Sequence, residues 1–304
     1  MEFQADLLLK GAEVFHPIFQ KFIPANLYIL DGKIYHIDFE PNDENLDRPV
    51  PDITHDWTGK QIIPGFIDIH MHIESSMLTP ISFANEVLPR GVTTVVAEPH
   101  EIANVFGVQG IKHFIEAGKR SAMDIFIALP SSVPSTRADL ESNGCVLSEK
   151  EMMELYKMPE VISVGEVMNY RDIIDKDCDL PIAHFLKDLS IFDPRATIEG
   201  HCPQLTGFEL SRFLWHRIQG DHTEHNLEEI KDRVRRGMFI ELQMKMLKKD
   251  ILDYLTKNEL YDCFSFITDD TMPDSLVNEG QLDAVLRRAI DLGVDRNMAF
   301  YCAS

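Results

Sequence analysis

Short apolar runs alternate with longer segments of helical spacing along most of the chain. The apolar runs lie at residues 62–69, 93–97, 124–129, 161–165, 196–200, 217–220, 238–242 and 264–268. The segments between them, such as 227–236 and 275–292, carry apolar residues three or four positions apart, as amphipathic helices do. Strands that alternate with helices form parallel α/β sheets. Eight such units in roughly 240 residues predict a (β/α)8 barrel of the TIM type, and a doubly wound open sheet is the alternative.

The first 60 residues have a different pattern, in which apolar runs are separated by polar turns. Asp31-Gly32 lies between the apolar runs 25–30 and 33–37, and an Asp-Gly pair in such a position is typical of a β-hairpin. A polar stretch over 40–51 follows. We therefore predict a small N-terminal β domain over residues 1–60 and the barrel over residues 61–304.

Composition and charge narrow the class of protein. The chain has 304 residues, of which 44% are hydrophobic and 26% are charged, as in globular proteins. Its formal net charge of -21 argues against a nucleic acid polymer or an anionic membrane as a partner, because both bind clustered Lys and Arg. It has no run of eighteen apolar residues, and its five cysteines are scattered singly. We expect a cytoplasmic protein that acts on a small molecule.

The residues that follow the apolar runs are of the types that bind metals. Side chains alternate along a strand, so His70 and His72 at the end of the first run point to the same face. The C-terminal ends of barrel strands meet at one mouth, and the ends of the fourth, fifth, sixth and eighth runs hold Glu166, His201, His222 and Asp269. Four imidazoles and two carboxylates at one mouth can hold two divalent ions with a bridging carboxylate.

Glu166 and His201 each have a structural alternative to this interpretation. Glu166 could cap the helix that follows its strand, and His201 could be a loop histidine that is satisfied by hydrogen bonds. Taken together, however, six ligand-type residues at the ends of five runs favour a metal site.

The last two ligand positions have close neighbours that could replace them. Asp270 lies beside Asp269, and one of the two could cap a helix that begins near residue 273. His225 lies three residues after His222, directly before a helix for which Asn226 is the predicted N-cap. We expect His225 to be exposed at the surface and His222 to be the ligand.

Longer motifs surround these positions. Residues 64–68 read Pro-Gly-Phe-Ile-Asp, directly before the His70-x-His72 pair, and residues 73–80 read Ile-Glu-Ser-Ser-Met-Leu-Thr-Pro. Further along the chain lie Glu-Pro-His-Glu at 98–101, Gly-Glu-Val-Met-Asn-Tyr at 165–170, Gly-His-Cys-Pro at 200–203 and Thr-Asp-Asp at 268–270. In this order the motifs resemble those of the adenine deaminase family of the amidohydrolase superfamily, over nearly all of the chain.

The resemblance implies a binuclear metal hydrolase that converts adenine and water to hypoxanthine and ammonia. The implied ligands are His70, His72 and Asp269 on one ion, His201 and His222 on the other, and Glu166 as the bridge. A metal-bridging hydroxide would attack the amidine carbon of the purine, and Asp269 would move its proton to the departing amine. Mixed histidine and carboxylate ligands suit manganese, iron and zinc alike.

The resemblance also implies residues that contact the substrate. Glu74, Ser75, His100 and Glu101 belong to family motifs that line the same mouth. The structural alternatives are a loop carboxylate for Glu74 and a helix-start pair for His100 and Glu101.

Several positions depart from the family pattern. The chain has Glu98 where the family has Asp, and Thr223 where it has Glu. The family's Arg-Glu-Gly-Ser at the end of the seventh strand is here residues 243–246, Gln-Met-Lys-Met. Another aminopurine or a cyclic amide therefore remains an alternative substrate, and a metal-binding paralogue without turnover is a second alternative.

The family also differs in length. Its members continue beyond the eighth β/α unit, whereas this sequence stops at Ser304. We therefore expect the N-terminal β domain to be one half of a composite β-sandwich. An unpaired sheet edge of this kind favours association, which makes a homo-oligomer one expected form.

Overall fold

The computed structural model describes residues 3–136 and 140–304. The chain forms two compact units, Met1–Pro64 and Gly65–Ser304. Each unit contains one β-sheet. No helix among the described residues is both long enough and apolar enough to cross a membrane.

The first unit is a five-stranded sheet. Its strands are β1 (Gln4–His16), β2 (Lys21–Leu30), β3 (Lys33–Asp38), β4 (Val50–Asp56) and β5 (Gln61–Ile62), in the order β3-β2-β1-β4, with β5 also paired to β1. β1, β2 and β3 are antiparallel neighbours, whereas β4 and β5 run parallel to β1. The turn between β2 and β3 has φ values of 51° at Asp31 and 71° at Gly32, as a tight hairpin turn requires. The predicted hairpin is therefore present.

The second unit is a parallel sheet. Its strands are β6 (Phe66–His72), β7 (Val92–Ala97), β8 (Asp124–Leu129), β9 (Val161–Val167), β10 (Ile198–Gly200), β11 (Gly220–Asp221), β12 (Phe239–Leu242), β13 (Phe264–Phe266) and β14 (Asp269–Asp270). Strands β6 to β13 pair in chain order. β13 and β14 are two pieces of one eighth strand, of which β13 pairs with β12 and β14 pairs with β6. The last strand thus joins both ends of the sheet, which fits a TIM-type barrel rather than an open sheet.

Helices alternate with these strands along the chain. They are α1 (Pro80–Val87), α2 (His100–Gly118), α3 (Glu149–Tyr156), α4 (Tyr170–Ile173), α5 (Pro181–Phe192), α6 (Gly207–Trp215), α7 (Leu227–Arg235), α8 (Lys249–Lys257), α9 (Pro273–Asn278), α10 (Leu282–Asp291) and α11 (Arg296–Tyr301). Helix α7 begins as predicted, because Asn226 Oδ1 accepts hydrogen bonds from the backbone N–H groups of Glu228 and Glu229 at 2.9 and 3.1 Å.

The strands of the second unit contain both apolar and charged buried residues. Val95, Ile127 and Ile240 are fully buried, and burial of such a side chain stabilises a fold by about 1.5–3 kcal/mol. Histidine, glutamate and aspartate side chains are buried in the same strands. Charged groups are seldom buried without partners or a bound metal, so these residues indicate where the functional site lies.

Some predicted elements differ from those observed. The run 62–69 is not one strand, because Pro64 cannot donate a backbone hydrogen bond. Before Pro64, β5 pairs with β1. After it, the barrel strand β6 begins at Phe66 and contains both histidines. The predicted helix over 275–292 is two helices, α9 and α10, which separate at Gly280 with φ of 120°. The sixth strand is β11, whereas the sequence placed it at 217–220.

Candidate metal centre

Three side chains converge where β6 pairs with β14. His70 Nε2 and His72 Nε2 lie 3.6 and 3.4 Å from Asp269 Oδ1. Asp269 reaches this position because it pairs with Met71, the residue between the two histidines. Two ligands about 2.1 Å from one ion at a tetrahedral angle lie about 3.4 Å apart. The spacing therefore fits one divalent ion.

A second cluster forms at the ends of β9, β10 and β11. Glu166 Oε2 lies 2.6 Å from His201 Nδ1 and 3.2 Å from His222 Nε2, and these two nitrogens are 3.3 Å apart. The other oxygen of the same carboxylate, Glu166 Oε1, lies 3.5 Å from His72 Nε2 in the first cluster. Glu166 therefore lies between the two clusters, as a bridging ligand would.

The donor atoms of these clusters fit a pair of divalent cations. His70 Nε2 is buried and has no hydrogen-bond partner among the described residues. A buried polar atom without a partner is costly, and a bound cation would satisfy it. Imidazole and carboxylate donors suit zinc, iron and manganese. In each cluster three ligand atoms lie within 4.8 Å of one another, which is close enough for all three to bind one ion.

Opposite charges dominate the electrostatics of the first cluster. Burial disfavours a charged ring at His70, but the carboxylate of Glu199 holds the pKa of His70 well above its ordinary value. Burial acts in the same way on His72, yet carboxylates led by Asp269 raise its pKa to about 9. Burial favours protonation of Asp269, but its contacts with His70 and His72 hold the pKa of Asp269 below the ordinary range. Asp269 is therefore ionised at neutral pH.

The four residues expected to contact substrate lie together at the same mouth. Ser75 Oγ lies 2.5 Å from Asp270 Oδ1 and 3.3 Å from Glu101 Oε1. Glu74 Oε1 accepts a 3.4 Å hydrogen bond from the Ile102 backbone. Burial, with the nearby charge of Glu101, raises the pKa of Glu74 to about 8.

His100 connects this group of residues to the two clusters of ligand-type side chains. His100 Nδ1 lies 2.6 Å from Glu98 Oε2 and 3.4 Å from Glu166 Oε1. His100 is also the first residue of α2, which agrees with the alternative interpretation of His100 and Glu101 as a helix-start pair. Its side chain nevertheless faces the clustered ligands.

Gln243 has a defined role, although the sequence showed it only as a departure from the family pattern. Its Nε2 donates to Asp269 Oδ2 and to the His222 backbone carbonyl, each at 2.9 Å. The side chain is buried. Gln243 thus fixes the carboxylate oxygen of Asp269 that does not face the histidines.

The prediction that His225 is exposed was wrong. His225 is buried, and its Nε2 lies 2.7 Å from Asp221 Oδ2 and 2.8 Å from Thr223 Oγ1. Arg233, which is also fully buried, donates from Nε to the same Asp221 oxygen at 2.7 Å. The short loop before α7 turns His225 inward toward this carboxylate. His225 belongs to neither ligand cluster.

The capping alternatives for the ligand candidates are also wrong. Glu166 lies inside β9, and the N-cap of the next helix, α4, is Asn169. The N-cap of α9 is Met272, which has no side-chain hydrogen bond, so neither Asp269 nor Asp270 caps that helix.

Two buried carboxylates beneath the clusters, Glu199 on β10 and Glu241 on β12, were not among the predicted site residues. Burial together with the charge of Glu199 raises the pKa of Glu241 to about 8. A signal was available, because each glutamate lies within an apolar run that was predicted to be a buried strand. A charged residue in such a run needs a partner.

Comparison with known proteins identifies relatives of this chain. A family model described as "Amidohydrolase family" matches residues 61–244. The chain is 41% identical over 303 residues to an adenine deaminase of Clostridium perfringens, covering 99% of this chain and 51% of that protein. It is 40% identical to adenine deaminase 2 of Shouchella clausii, covering 98% of this chain and 51% of that protein. The chain thus spans about half the length of the curated relatives it matches.

A solved structure shows the same fold. N-acetyl-D-glucosamine-6-phosphate deacetylase from Mycobacterium smegmatis aligns with a TM-score of 0.63 at 17% sequence identity, over 98% of this chain and 87% of that one. At this low identity the likeness concerns the fold alone.

Proposed function

The chain belongs to the amidohydrolase family, and we propose that it is a metal-dependent deaminase that converts adenine and water to hypoxanthine and ammonia. The observation that carries the proposal is the pair of ligand clusters that share Glu166. The similarity to proteins named adenine deaminase supports the choice of substrate.

Two divalent ions, of manganese, iron or zinc, would be held by the clustered side chains. The proposed ligands are His70, His72 and Asp269 for the first ion, His201 and His222 for the second, and Glu166 for both. Ions bound there lower the pKa of water and so supply a nucleophile near neutral pH. The remaining steps depend on the protein's own groups.

Asp269 is the proposed proton carrier. Its carboxylate is ionised, so it accepts the proton of the attacking water while the new C–O bond forms. It then gives this proton to the departing amine as the C–N bond breaks, and ammonia leaves. The amide of Gln243 keeps the carboxylate in one orientation throughout.

The mouth offers groups that complement a purine base. The carboxylate of Glu101 can accept a hydrogen bond from a ring N–H group, and Glu74, protonated near neutral pH, can donate to a ring nitrogen, as can Ser75 and His100. A small aromatic base needs such polar groups to fix its orientation. Because Gln243 replaces the family's arginine at this mouth, another aminopurine or a cyclic amide is the second candidate substrate.

The test is ammonia release by the metal-loaded protein from adenine, other aminopurines and cyclic amides. We expect adenine to be the preferred substrate and Glu166→Ala to abolish its turnover. Preference for another aminopurine would support the proposed deamination but would replace adenine as the substrate. No turnover of any compound by protein carrying two ions would overturn the proposal in favour of a metal-binding protein without catalysis.

A further inference from the structure

We propose that Glu199 is a positioning residue that anchors one histidine from each metal cluster with a single carboxylate oxygen. Glu199 is buried on β10. Its Oε1 makes a 2.9 Å hydrogen bond with His222 Nδ1 and lies 2.7 Å from His70 Nδ1, an ion-pair distance at which His70 Nδ1 makes no hydrogen bond. The two rings stack with centroids 4.0 Å apart and an angle of 22° between their planes.

Both rings turn their other nitrogen toward the proposed ions. His70 Nε2 faces Asp269, and His222 Nε2 faces Glu166. A carboxylate favours the proton on Nδ1, at His222 by accepting its hydrogen bond and at His70 by the nearness of its charge, and this leaves the lone pair of Nε2 free for a metal. Because one oxygen serves both rings, the affinities of the two ions depend on the same residue.

The other two proposed histidine ligands are held differently. His72 Nδ1 lies 2.8 Å from the Glu98 backbone carbonyl. His201 directs Nδ1, rather than Nε2, at Glu166. The dependence on Glu199 is therefore specific to His70 and His222.

Glu241 provides a matched control, because it is a second buried carboxylate in the same part of the barrel. Its Oε2 lies 3.6 Å from His222 Nδ1 and has no hydrogen-bond partner among the described residues. Gly220 leaves room for this side chain, since a Cβ at that position would lie 2.3 Å from Glu241 Oε1. Glu241 shares the environment of Glu199 but makes no contact as short with either ring.

The first test measures metal affinity by chelator competition, and it rests on the metal pair of the proposed function but not on the substrate. We expect Glu199→Gln to weaken binding of both zinc ions, by roughly tenfold to a hundredfold each. Glu241→Gln should change each affinity by less than about threefold. Loss at only one site, or equal losses in the two variants, would overturn the anchoring role. Failure of the unaltered protein to bind zinc would instead overturn the proposed function itself.

A second test needs no variant and so remains decisive if Glu199→Gln does not fold. In zinc-loaded protein labelled with 15N at histidine, nuclear magnetic resonance distinguishes a protonated Nδ1 from a metal-bound Nε2. We expect His70 and His222 both to carry their proton on Nδ1. Coordination of zinc through Nδ1 by either ring would overturn the proposal.

Discussion

Asp269 is the residue on which the proposed reaction depends. Its backbone has φ of 61°, the left-handed region that aspartate tolerates better than most residues and that is frequent at functional sites. One carboxylate oxygen faces the histidines and the other accepts from Gln243. The side chain is therefore held in place before substrate binds, as a proton carrier requires.

Replacing Asp269 by Asn should affect turnover more than metal retention. Asn keeps the shape and one coordinating oxygen but cannot accept the proton, so we expect most of the metal to remain while turnover falls by roughly a hundredfold or more. Steady-state ammonia release and elemental analysis of the same sample measure the two effects. Asp270→Asn is the control and should be milder, because Asp270 contacts Ser75 rather than a ligand. The reverse ranking would assign the proton transfer to Asp270.

His225 contacts the buried carboxylate of Asp221 and no residue of either ligand cluster, so we expect it to affect stability rather than metal binding. His225→Ala would remove one of the buried partners of the Asp221 carboxylate, and a buried group left short of partners costs about 1–3 kcal/mol. We expect urea unfolding of the metal-free protein to show a loss of this size, with ion content unchanged. His113→Ala, at an exposed position of α2, should stay within about 0.5 kcal/mol. Loss of an ion from His225→Ala would make His225 a ligand after all.

The sequence predicted the strands, turns and helix starts that short-range patterns determine. The alternation of apolar runs with helical segments predicted the β/α order, the Asp31-Gly32 pair predicted a hairpin, and Asn226 predicted a helix start. The ligand-type residues were found because barrel strands end at one mouth. The hairpin and the helix start needed only a few neighbouring residues, whereas the ligand positions also needed the predicted barrel.

Features that depend on contacts between segments far apart in the sequence were not predicted. The buried cluster of Asp221, His225 and Arg233 forms only when α7 packs behind β11, so His225 could not be placed from its position in the sequence. The break between β13 and β14 depends in the same way on which strand each piece pairs with. The contacts of Glu199 with His70 and His222 also depend on the pairing of strands that are distant in the sequence.

Strand β9 shows how one small residue makes room for the site. A Cβ at Gly165 would lie 2.3 Å from the Cγ atom of buried Glu98, the partner of His100. Gly165→Ala should therefore displace Glu98, cost about 1–3 kcal/mol of stability and lower the metal affinity measured by chelator competition. Gly118→Ala is the matched control, because its new Cβ would meet only an ordinary contact, 3.4 Å from Ile125. Equal effects of the two substitutions would contradict this role of Gly165.

For the whole molecule, the charge of the site makes metal binding dependent on pH. His70, His72 and His222 have raised pKa values in the metal-free protein, about 9 for His72, because the surrounding carboxylates outweigh burial. Metals bind neutral imidazole, so at neutral pH each ion must displace protons from these rings. We expect apparent affinity to rise from pH 6 to pH 9, by up to about tenfold per pH unit for each proton released. Chelator competition at several pH values measures this, and a constant affinity would show that the rings are already neutral.

The proposed reaction needs two ions, held on either side of Glu166, for hydrolysis of an aminopurine. The most direct test is titration of the metal-free protein with manganese, with ammonia release from adenine measured at each step. We predict little activity up to one equivalent per chain and full activity at about two, because each cluster supplies part of the reaction. Full activity at one equivalent, or no activity with two ions bound, would rule out the proposed two-ion reaction.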